Sequence, residues 1–563
     1  MNTDIFGIAA TFILTVLFAY PLGKYMAKVF KGEKVWSDFL KPFERLIFRI
    51  SGIDPEKPMD WKEGLKAMLL LNVVFFLWVY VLLLIRHPFL NPMDIPAMEA
   101  SLAFNTAASF VSNTNLQHYS GETGASYFTQ IFLLMFMQFV SAATGIAALA
   151  MLFKGLVQRQ MSDLGNFYCL VVKSTTRILL PLSVAVAVIL LLNGTPMTFN
   201  GAQKIITLQG DTVSVATGPA AGMVAIKQLG TNGGGFFGVN SAHPLENPNY
   251  LTNMVENISI LVIAIGLVFS FGFYLEKKKL GYISFSVMAA IMLLFLILTV
   301  RWEIDGNPKI KAIGISQQQA SNMEGKEVRF GPAASAYWGV TTTSTSNGSV
   351  NSMHDSFMPL SGGLFMIDMM INSIFGGVGV GFLNFFIYMV IAVFIAGLMV
   401  GRTPELLGKK IEAKEVKIAA VVLLLHPLLI LVGTAIAAHI SAINPSIGWT
   451  PNPGYHGFSE MLYEFTSSSA NNGSGFEGLG DNTYFWNIMC GTVMLLARFI
   501  PIIGPVAIAG LLARKKKIPK SAGTLRIDSL TFGIVLIAVI AIVAALSFFP
   551  ALAVGPIAEY FSM

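Results

Sequence analysis

The sequence predicts an all-α polytopic membrane protein with about ten transmembrane helices. Of its 563 residues, 54% are hydrophobic and only 12% are charged, with a mean hydropathy of +0.66. A soluble domain carries about 25% charged residues. Apolar runs of about 18 residues or more, long enough to cross a bilayer as helices, recur along the chain. A fourfold internal repetition then predicts four pseudo-symmetric helix–pore-helix–filter–helix repeats around a central pore, plus one extra helix at each end.

The apolar runs define ten spanning segments with boundaries good to a few residues. They cover residues 5–26, 66–86, 127–153, 168–192, 252–275, 280–300, 363–400, 416–440, 484–512 and 528–549. The run 363–400 is too long for one straight helix and is interrupted by FGGVGVGF. We treat residues 1–563 as a single integral membrane domain. Its extra helices are 5–26 and 528–549, and its repeats are 66–153, 168–275, 280–400 and 416–512.

The charged residues predict the orientation of these helices. The N-terminus has an acidic start and no small-residue cleavage site, so we expect a retained first helix instead of a signal peptide. Most of the 37 Lys and Arg residues fall in the connections after helices one, three, five, seven and nine. The positive-inside rule therefore places these connections in the cytoplasm and both termini outside. Because the basic residues mark topology, the net charge of +6 does not indicate a nucleic-acid partner.

Four connections on the predicted outer side contain related polar strings. They are FVSNTNLQ (110–117), LGTNGGGF (229–236), TTSTSNGSVN (342–351) and SSANNGSGF (468–476). Aligned on asparagine, they pair Ser112-Asn113-Thr114 with Thr231-Asn232-Gly233, Ser346-Asn347-Gly348 and Asn471-Asn472-Gly473. Each follows a short run of small and apolar residues that is long enough for a half-helix. One Asn-Gly is an ordinary turn signal, but four copies at near-equal spacing favour a functional role.

These strings have the composition of an ion filter. Non-helical backbone is tolerated at membrane depth only where protein buries it or where it lines a watery cavity. Glycine adopts the positive φ that turns a carbonyl inward, and rings of carbonyls replace the hydration shell of a monovalent cation. The cores of the strings contain no carboxylate, which disfavours Ca²⁺ and Mg²⁺ and favours K⁺. The candidate filter residues are Ser112, Asn113, Thr114, Asn115, Thr231, Asn232, Gly233, Gly234, Ser346, Asn347, Gly348, Ser349, Asn471, Asn472, Gly473 and Ser474.

Longer motifs carry a family resemblance. They are SNTNLQHYSGE, GTNGGGFFGVNSAHPLENP, NGSVNSMHDSF, FIAGLMVGRTPELLGKKIE, NPGYHGFSEMLYEFTSSSANNGSGF and LSFFPALAVGPIAEYFSM. From the first helix to the last residues, the chain closely resembles the potassium-binding A subunit of bacterial Kdp-type potassium-transporting ATPases, within the superfamily of K⁺ transporters. The resemblance implies K⁺ as the transported ion, a filter at the four strings, and a bacterial inner-membrane location. It also implies three partners besides the lipid bilayer: a P-type ATPase catalytic subunit that uses the ATP, a single-span accessory subunit and a small helical peptide.

Three side chains beyond the candidate filter residues are candidates for the ion path. Arg498 lies near the middle of the ninth segment, where an uncompensated charge is costly. It is either a fixed positive charge below the filter that stops leakage or a structural arginine that snorkels or pairs with a carboxylate. Arg402 is a cytoplasmic anchor or a contact for the ATPase, and Gln117 could steady the outer mouth. Gly376, Gly377 and Gly379 interrupt the seventh segment as a gating loop or as a close helix crossing.

Several other functions are disfavoured. The chain has neither a G-x-x-x-x-G-K-[ST] nor a D-K-T-G motif, so we expect it to be a non-hydrolytic subunit that cannot use ATP by itself. Cys169 and Cys490 both fall in predicted helices, so we expect neither a disulfide nor a zinc site. His243, His354 and His456 have no metal-ligand spacing and are interpreted as local hydrogen-bonding residues. A membrane-embedded enzyme is disfavoured because no predicted span contains a His/Asp/Glu cluster. A stand-alone K⁺ channel or cotransporter of the same fold remains an alternative.

Overall fold

Membrane-spanning helices dominate the structure, a computed structural model that describes residues 2–314, 321–399, 401, 403–518 and 526–563. Within these ranges, ten helices are long and apolar enough to cross a membrane. In chain order, spans 1 to 10 are Asp4–Lys31, Trp61–Leu83, Thr129–Val157, Phe167–Leu192, Tyr250–Tyr274, Lys278–Ile310, Val380–Met399, Ala413–Ile443, Tyr484–Ala513 and Leu530–Ser562. The predicted all-α polytopic fold is confirmed. The helices generally extend a few residues beyond the apolar runs, because polar residues at the ends still form helical hydrogen bonds.

Four shorter helices lie between successive pairs of spans. Pore helices 1 to 4 are Ala100–Val111, Ala220–Leu229, Gly331–Ser344 and Tyr455–Ala470. Each ends directly before one of the polar strings, and nearly every residue of each is buried. Such burial on all sides places these helices inside the bundle, away from lipid. The order span, pore helix, string and span therefore occurs four times, with span 1 and span 10 outside the repeats.

The predicted helix at 363–400 consists of two helices. Pro359–Ile371 ends at Asn372, which has a left-handed φ of 45°, and span 7 begins at Val380. The loop 372–379 between them turns sharply, and a side chain at Gly376 would overlap the Cα of Gly381. The glycines therefore allow the backbone to turn back on itself within the bundle. Arg402, which follows span 7, lies outside the described residues.

Smaller elements lie in the connections between the spans. An antiparallel hairpin of Gln203–Ile206 and Thr212–Val215, with Gln203 opposite Val215, precedes pore helix 2. A second hairpin, Glu405–Leu406 with Lys409–Lys410, follows span 7. A short helix, Lys41–Ser51, packs against span 4. It is held there by Arg177, whose guanidinium donates to both carboxylate oxygens of Glu44 at 2.5 Å.

The C-terminal end of the chain is tied to the pore region by one histidine. His456, in the first turn of pore helix 4, donates from Nδ1 to Glu559 Oε1 at 2.7 Å and from Nε2 to Asp355 Oδ1 at 2.9 Å. Burial opposes the charged imidazole, but the two carboxylates outweigh burial and raise the pKa of His456 to about 10. The charged ring therefore links the last helix, pore helix 4 and the loop that follows the third string.

Span 1 packs along span 5 through small residues, and this contact gives the first prediction. A Cβ added at Gly23 would lie 2.5 Å from the carbonyl oxygen of Gly266 and 2.8 Å from Cβ of Phe269. Gly23→Ala should therefore separate the two helices and lower the stability by about 1–3 kcal/mol, a usual cost of overpacking. The measurement is the thermal unfolding midpoint of the detergent-extracted protein.

Gly533→Ala in span 10 is the matched control. Its added Cβ would meet Val287 Cγ2 at 3.4 Å, an ordinary contact, so alanine should leave the midpoint unchanged or raise it slightly. Equal midpoints for the two variants would contradict the close packing of spans 1 and 5.

Candidate functional site

The four strings share one backbone conformation. Just beyond each pore helix comes a residue in the left-handed region, and two residues later a second positive φ follows. The first positions are Asn113 (φ 64°), Thr231 (46°), Ser346 (49°) and Asn471 (53°). The second positions are Asn115 (53°), Gly233 (85°), Gly348 (90°) and Gly473 (100°). Four segments of different sequence therefore make the same pair of turns, as expected of repeats that build one structure.

This shared conformation shifts the first string by one residue from the alignment on asparagine. The backbone N–H of Thr114 donates to Ser109 O at 2.9 Å, as that of Asn232 does to Lys227 O at 2.9 Å. Thr114 therefore occupies the position of the middle asparagines, and Asn115 occupies the glycine position. Asparagine is among the non-glycine residues that best tolerate a left-handed backbone, so it can stand at either kind of position.

Asparagine amides join each string to a neighbour. All of the contacting groups are buried, and each amide nitrogen donates to an oxygen on another repeat. The contacts are Asn113 Nδ2 to Thr231 O (2.9 Å), Asn347 Nδ2 to Lys227 O (3.1 Å), Asn472 Nδ2 to Thr342 O (2.8 Å) and Asn471 Nδ2 to Thr114 Oγ1 (3.0 Å). Repeats 1 to 4 are thereby closed into a ring, and these side-chain amides are engaged between strings.

The glycines bring the neighbouring strings into direct backbone contact. A side chain at Gly233 would overlap the carbonyl oxygen of Asn347, and one at Gly348 would overlap that of Asn472. A side chain at Gly473 would overlap the carbonyl oxygen of Thr114. The middle carbonyl of each of these strings therefore lies against the glycine of the string before it. Only hydrogen fits at these three positions, which is why the backbones can approach so closely.

A cavity of about 820 Å³ opens onto the strings. Its wall includes Asn115, Gly348 and Gly473, as well as the predicted mouth residue Gln117. Glu477, which follows the fourth string, also lines it, and burial raises the pKa of this carboxyl to about 8. Near neutral pH this side chain is therefore mainly uncharged. The cavity therefore brings a polar, accessible space up to the backbone of three of the strings.

The opposite, inner end of the strings meets the loop 372–379. The backbone N–H of Val378 donates to Thr231 Oγ1 at 2.8 Å, and a Cβ added at Gly377 would lie 3.7 Å from both Thr231 Oγ1 and Arg498 Nη1. A side chain at Gly379 would overlap the Gly145 carbonyl of span 3. The structure thus brings the predicted glycines and Arg498 together where the second string begins.

Arg498 is a buried cation at this inner end. Its side chain is 2% exposed, and Nη2 donates to the carbonyl oxygen of Ser141 at 3.2 Å. Within the described ranges, no carboxylate lies in ion-pair contact with it. The guanidinium is therefore held by main-chain oxygen and keeps an uncompensated charge close to the loop and the strings.

Almost the whole chain is similar to a known protein family. The family model described as the potassium-transporting ATPase A subunit matches residues 9–561. The chain belongs to this family. Among curated relatives, the potassium-transporting ATPase potassium-binding subunits of Flavobacterium johnsoniae and Flavobacterium psychrophilum are 59% and 58% identical over 574 residues, covering 100% of both chains. That of Alicyclobacillus acidocaldarius is 49% identical over 98% of each chain.

A solved structure supports the fold of this family member. The potassium transporter TrkH from Vibrio parahaemolyticus superposes with a TM-score of 0.53, covering 89% of this chain and 98% of that chain. Its sequence identity is 15%, so the likeness concerns the fold. Both chains build the same pore-helix repeat. The family resemblance drawn from the motifs is thus confirmed, and the fold agrees with it.

Polar residues of span 3 also hold the strings, and the sequence analysis missed them. Ser141 Oγ donates to Asn113 Oδ1 at 2.9 Å, and Gln138 Nε2 donates to Asn115 Oδ1 at 3.0 Å and to Gly234 O at 3.2 Å. The two side chains are three residues apart and so lie on one helix face. The available signal was this pair of polar residues inside an otherwise apolar span.

A second missed feature is a buried ion pair behind the second string. Lys227 of pore helix 2 pairs with Glu246, and the side chains of both residues are fully buried. The Lys227 carbonyl also accepts from the N–H groups of Asn232 and Gly233. The ion pair therefore stabilises the C-terminal end of pore helix 2, which the second string follows.

This ion pair gives the second prediction. Removing one partner leaves a buried charge uncompensated, which costs about 3–5 kcal/mol. Lys227→Met and Glu246→Gln should each lower the unfolding midpoint strongly. In the double variant neither group of the pair is left without the other, so its loss of stability should be smaller than the sum of the two single losses. Losses that simply add in the double variant would show that the two groups do not interact.

Proposed function

We propose that this chain is the potassium-binding and translocating subunit of an ATP-driven, high-affinity K⁺ import complex. The observation that carries the proposal is the closed ring of four strings, whose amides bond between repeats and three of which line the outer cavity. Main-chain carbonyls are suited to replace the hydration shell of K⁺. The lack of carboxylates in the strings favours a monovalent ion. Curated relatives named as potassium-binding subunits add support.

The same proposal includes the partners and the orientation. ATP is used by a P-type ATPase catalytic subunit, and a single-span accessory subunit and a small helical peptide complete the complex. The complex lies in a bacterial inner membrane with both termini of this chain on the extracytoplasmic side. K⁺ enters the strings through the outer cavity, with Gln117 at its wall, and is passed toward the ATPase.

Arg498 and the loop 372–379 close the direct route below the strings in this proposal. A guanidinium in a water-poor site repels an approaching cation more strongly than one in bulk water. The loop adds backbone that would have to move before an ion could pass. An ion held at the strings is then kept for the partner instead of leaking to the cytoplasm.

The first test is K⁺-stimulated, vanadate-sensitive ATP hydrolysis by the complex, gently extracted through a tag on this chain. Gly233→Ala should raise the K⁺ concentration for half-maximal stimulation about tenfold or more, because strain at a left-handed position costs about 1–3 kcal/mol. The overlap with Asn347 adds to this strain. Maximal hydrolysis at saturating K⁺ should fall less than the affinity.

Gly222→Ala is the matched control, since it lies in pore helix 2 and its added Cβ would have no neighbour nearer than 3.5 Å. It should leave the K⁺ dependence unchanged. If no ATPase accompanies the chain and the purified protein alone passes K⁺ down its gradient, the stand-alone channel is correct and the pump assignment fails. If Gly233→Ala leaves the K⁺ dependence unchanged, the filter assignment fails.

Arg498 supplies a further prediction. In proteoliposomes without ATP, Arg498→Gln should increase passive K⁺ flux, because the repelling charge is lost while a polar side chain of similar reach remains. Arg514→Gln is the control: Arg514 follows span 9 and is about half exposed, so its loss should not change the flux. A lower unfolding midpoint for Arg498→Gln with no added flux would instead assign Arg498 a structural role.

A further inference from the structure

A cluster of metal-ligand side chains lies beside the outer cavity, away from the carbonyl ring. His118 follows the first string, Glu464 lies in pore helix 4, and Cys490 lies in span 9. The three side chains are buried, and one ligand atom from each lies within 4.8 Å of the others. Asp481 stands on the cavity side of His118 and is partly exposed. Nothing in the K⁺ pathway described above requires this combination of groups.

The separations between the ligand atoms match a tetrahedral zinc site. Bond lengths of about 2.0–2.3 Å from zinc to N, O and S imply ligand–ligand separations of about 3.3–3.8 Å. His118 Nε2 lies 3.2 Å from Glu464 Oε1, and Cys490 Sγ lies 3.7 Å from the same oxygen. His118 Nε2 lies 4.0 Å from Asp481 Oδ2. His118, Glu464 and Cys490 therefore already stand near the positions that one ion would require, with Asp481 beside His118.

A neighbouring amide orients the histidine for this role. Asn487 Nδ2 donates to Ser101 Oγ at 3.1 Å and to Asn482 Oδ1 at 3.3 Å, which directs Asn487 Oδ1 toward His118. His118 Nδ1 donates to that oxygen at 2.7 Å. Its Nε2 therefore faces Glu464, either with a lone pair for a metal or with a second proton. Fixing one ring nitrogen by hydrogen bonding is the usual support for a metal-bound histidine.

We propose that His118, Glu464 and Cys490, with Asp481 as a supporting group beside His118, form a binding site for a zinc-like divalent cation. A mixed set of nitrogen, sulfur and oxygen ligands suits Zn²⁺ better than the hard cations Ca²⁺ and Mg²⁺. The ion enters from the outer cavity, which both His118 and Asp481 line. On binding, the Cys490 thiol releases its proton to solvent and the thiolate bonds to the metal.

The position of the site gives the bound ion a structural consequence. His118 lies three residues beyond Asn115, and Glu464 lies one helical turn before Ser467, whose carbonyl accepts from the N–H of Asn472. A bound metal would therefore fasten the end of the first string to pore helix 4 and span 9 of the fourth repeat. The site is distinct from the four strings, and its existence does not depend on the proposed transport function.

The test uses Co²⁺ as a spectroscopic probe and Zn²⁺ as a competitor, added to the full-length chain extracted with its complex. The wild-type protein should show a thiolate-to-cobalt charge-transfer band that Zn²⁺ abolishes, and Zn²⁺ should raise its unfolding midpoint. Cys490→Ser should lose the band, and His118→Gln should lose the Zn²⁺-dependent stabilisation. Cys169→Ser, which changes the other buried cysteine, is the matched control and should behave as wild type.

If Cys490→Ser or His118→Gln does not fold, Asp481→Asn provides a second test of the site. Because Asp481 is partly exposed, the variant should fold, keep the band and bind Co²⁺ about 10–100-fold more weakly, as expected when one supporting group is lost. The site is overturned if wild type shows neither the band nor stabilisation by Zn²⁺, or if Cys490→Ser keeps the band. In that event His118 is a charged partner of Glu464 and not a metal ligand.

Discussion

The structure depends on satisfying the polar backbone of four irregular segments inside a membrane. Where water is absent, an unpaired N–H or carbonyl costs several kcal/mol. Each string meets this constraint in two ways. Its N–H groups donate back to the end of its own pore helix, and its asparagine amides donate to a neighbouring repeat. The same bonds that stabilise the strings also hold their carbonyls in place, which is the arrangement that the proposed ion site requires.

This arrangement explains why the pore helices are buried and why glycine is needed at so few positions. A pore helix can carry Thr, Ser and even Lys227 because the surrounding segments supply partners. Glu246, the partner of Lys227, belongs to the same repeat. Glycine is required where two strings meet backbone to backbone, as Gly233 meets Asn347. Elsewhere in the strings, hydroxyl and amide side chains are tolerated because they bond to the next repeat.

Local patterns in the sequence predicted those features that depend on neighbouring residues. Apolar length predicted the spans, and repetition of Asn beside small residues predicted the four strings. The register of the first string was not predictable in this way, because Asn113 and Asn115 both tolerate a left-handed backbone and sequence identity favoured the wrong pairing. The roles assigned to Gln117 and Arg498 stay predictions, although the structure describes both residues.

Contacts between residues from different segments could not be predicted from local patterns in the sequence. His118 and Glu464 are 346 residues apart, so no spacing in the sequence links them. Lys227 appears only as a charge in an apolar helix, and its partner Glu246 lies in a loop. The prediction that neither cysteine belongs to a zinc site rested on their positions in predicted helices. Such positions cannot reveal side chains that the fold brings together from two repeats, as it does for His118, Glu464 and Cys490.

The link between the chain end and the pore also has a consequence for biosynthesis. Asn471 joins Thr114 across 357 residues, and His456 holds Glu559 only a few residues before the C-terminus. Because a ribosome delivers the chain from the N-terminus, three repeats are inserted before the fourth can close the ring. The contact between His456 and Glu559 forms later still, once the helix that carries Glu559 has left the ribosome. A partly synthesised chain therefore lacks the contacts that close the ring of four strings.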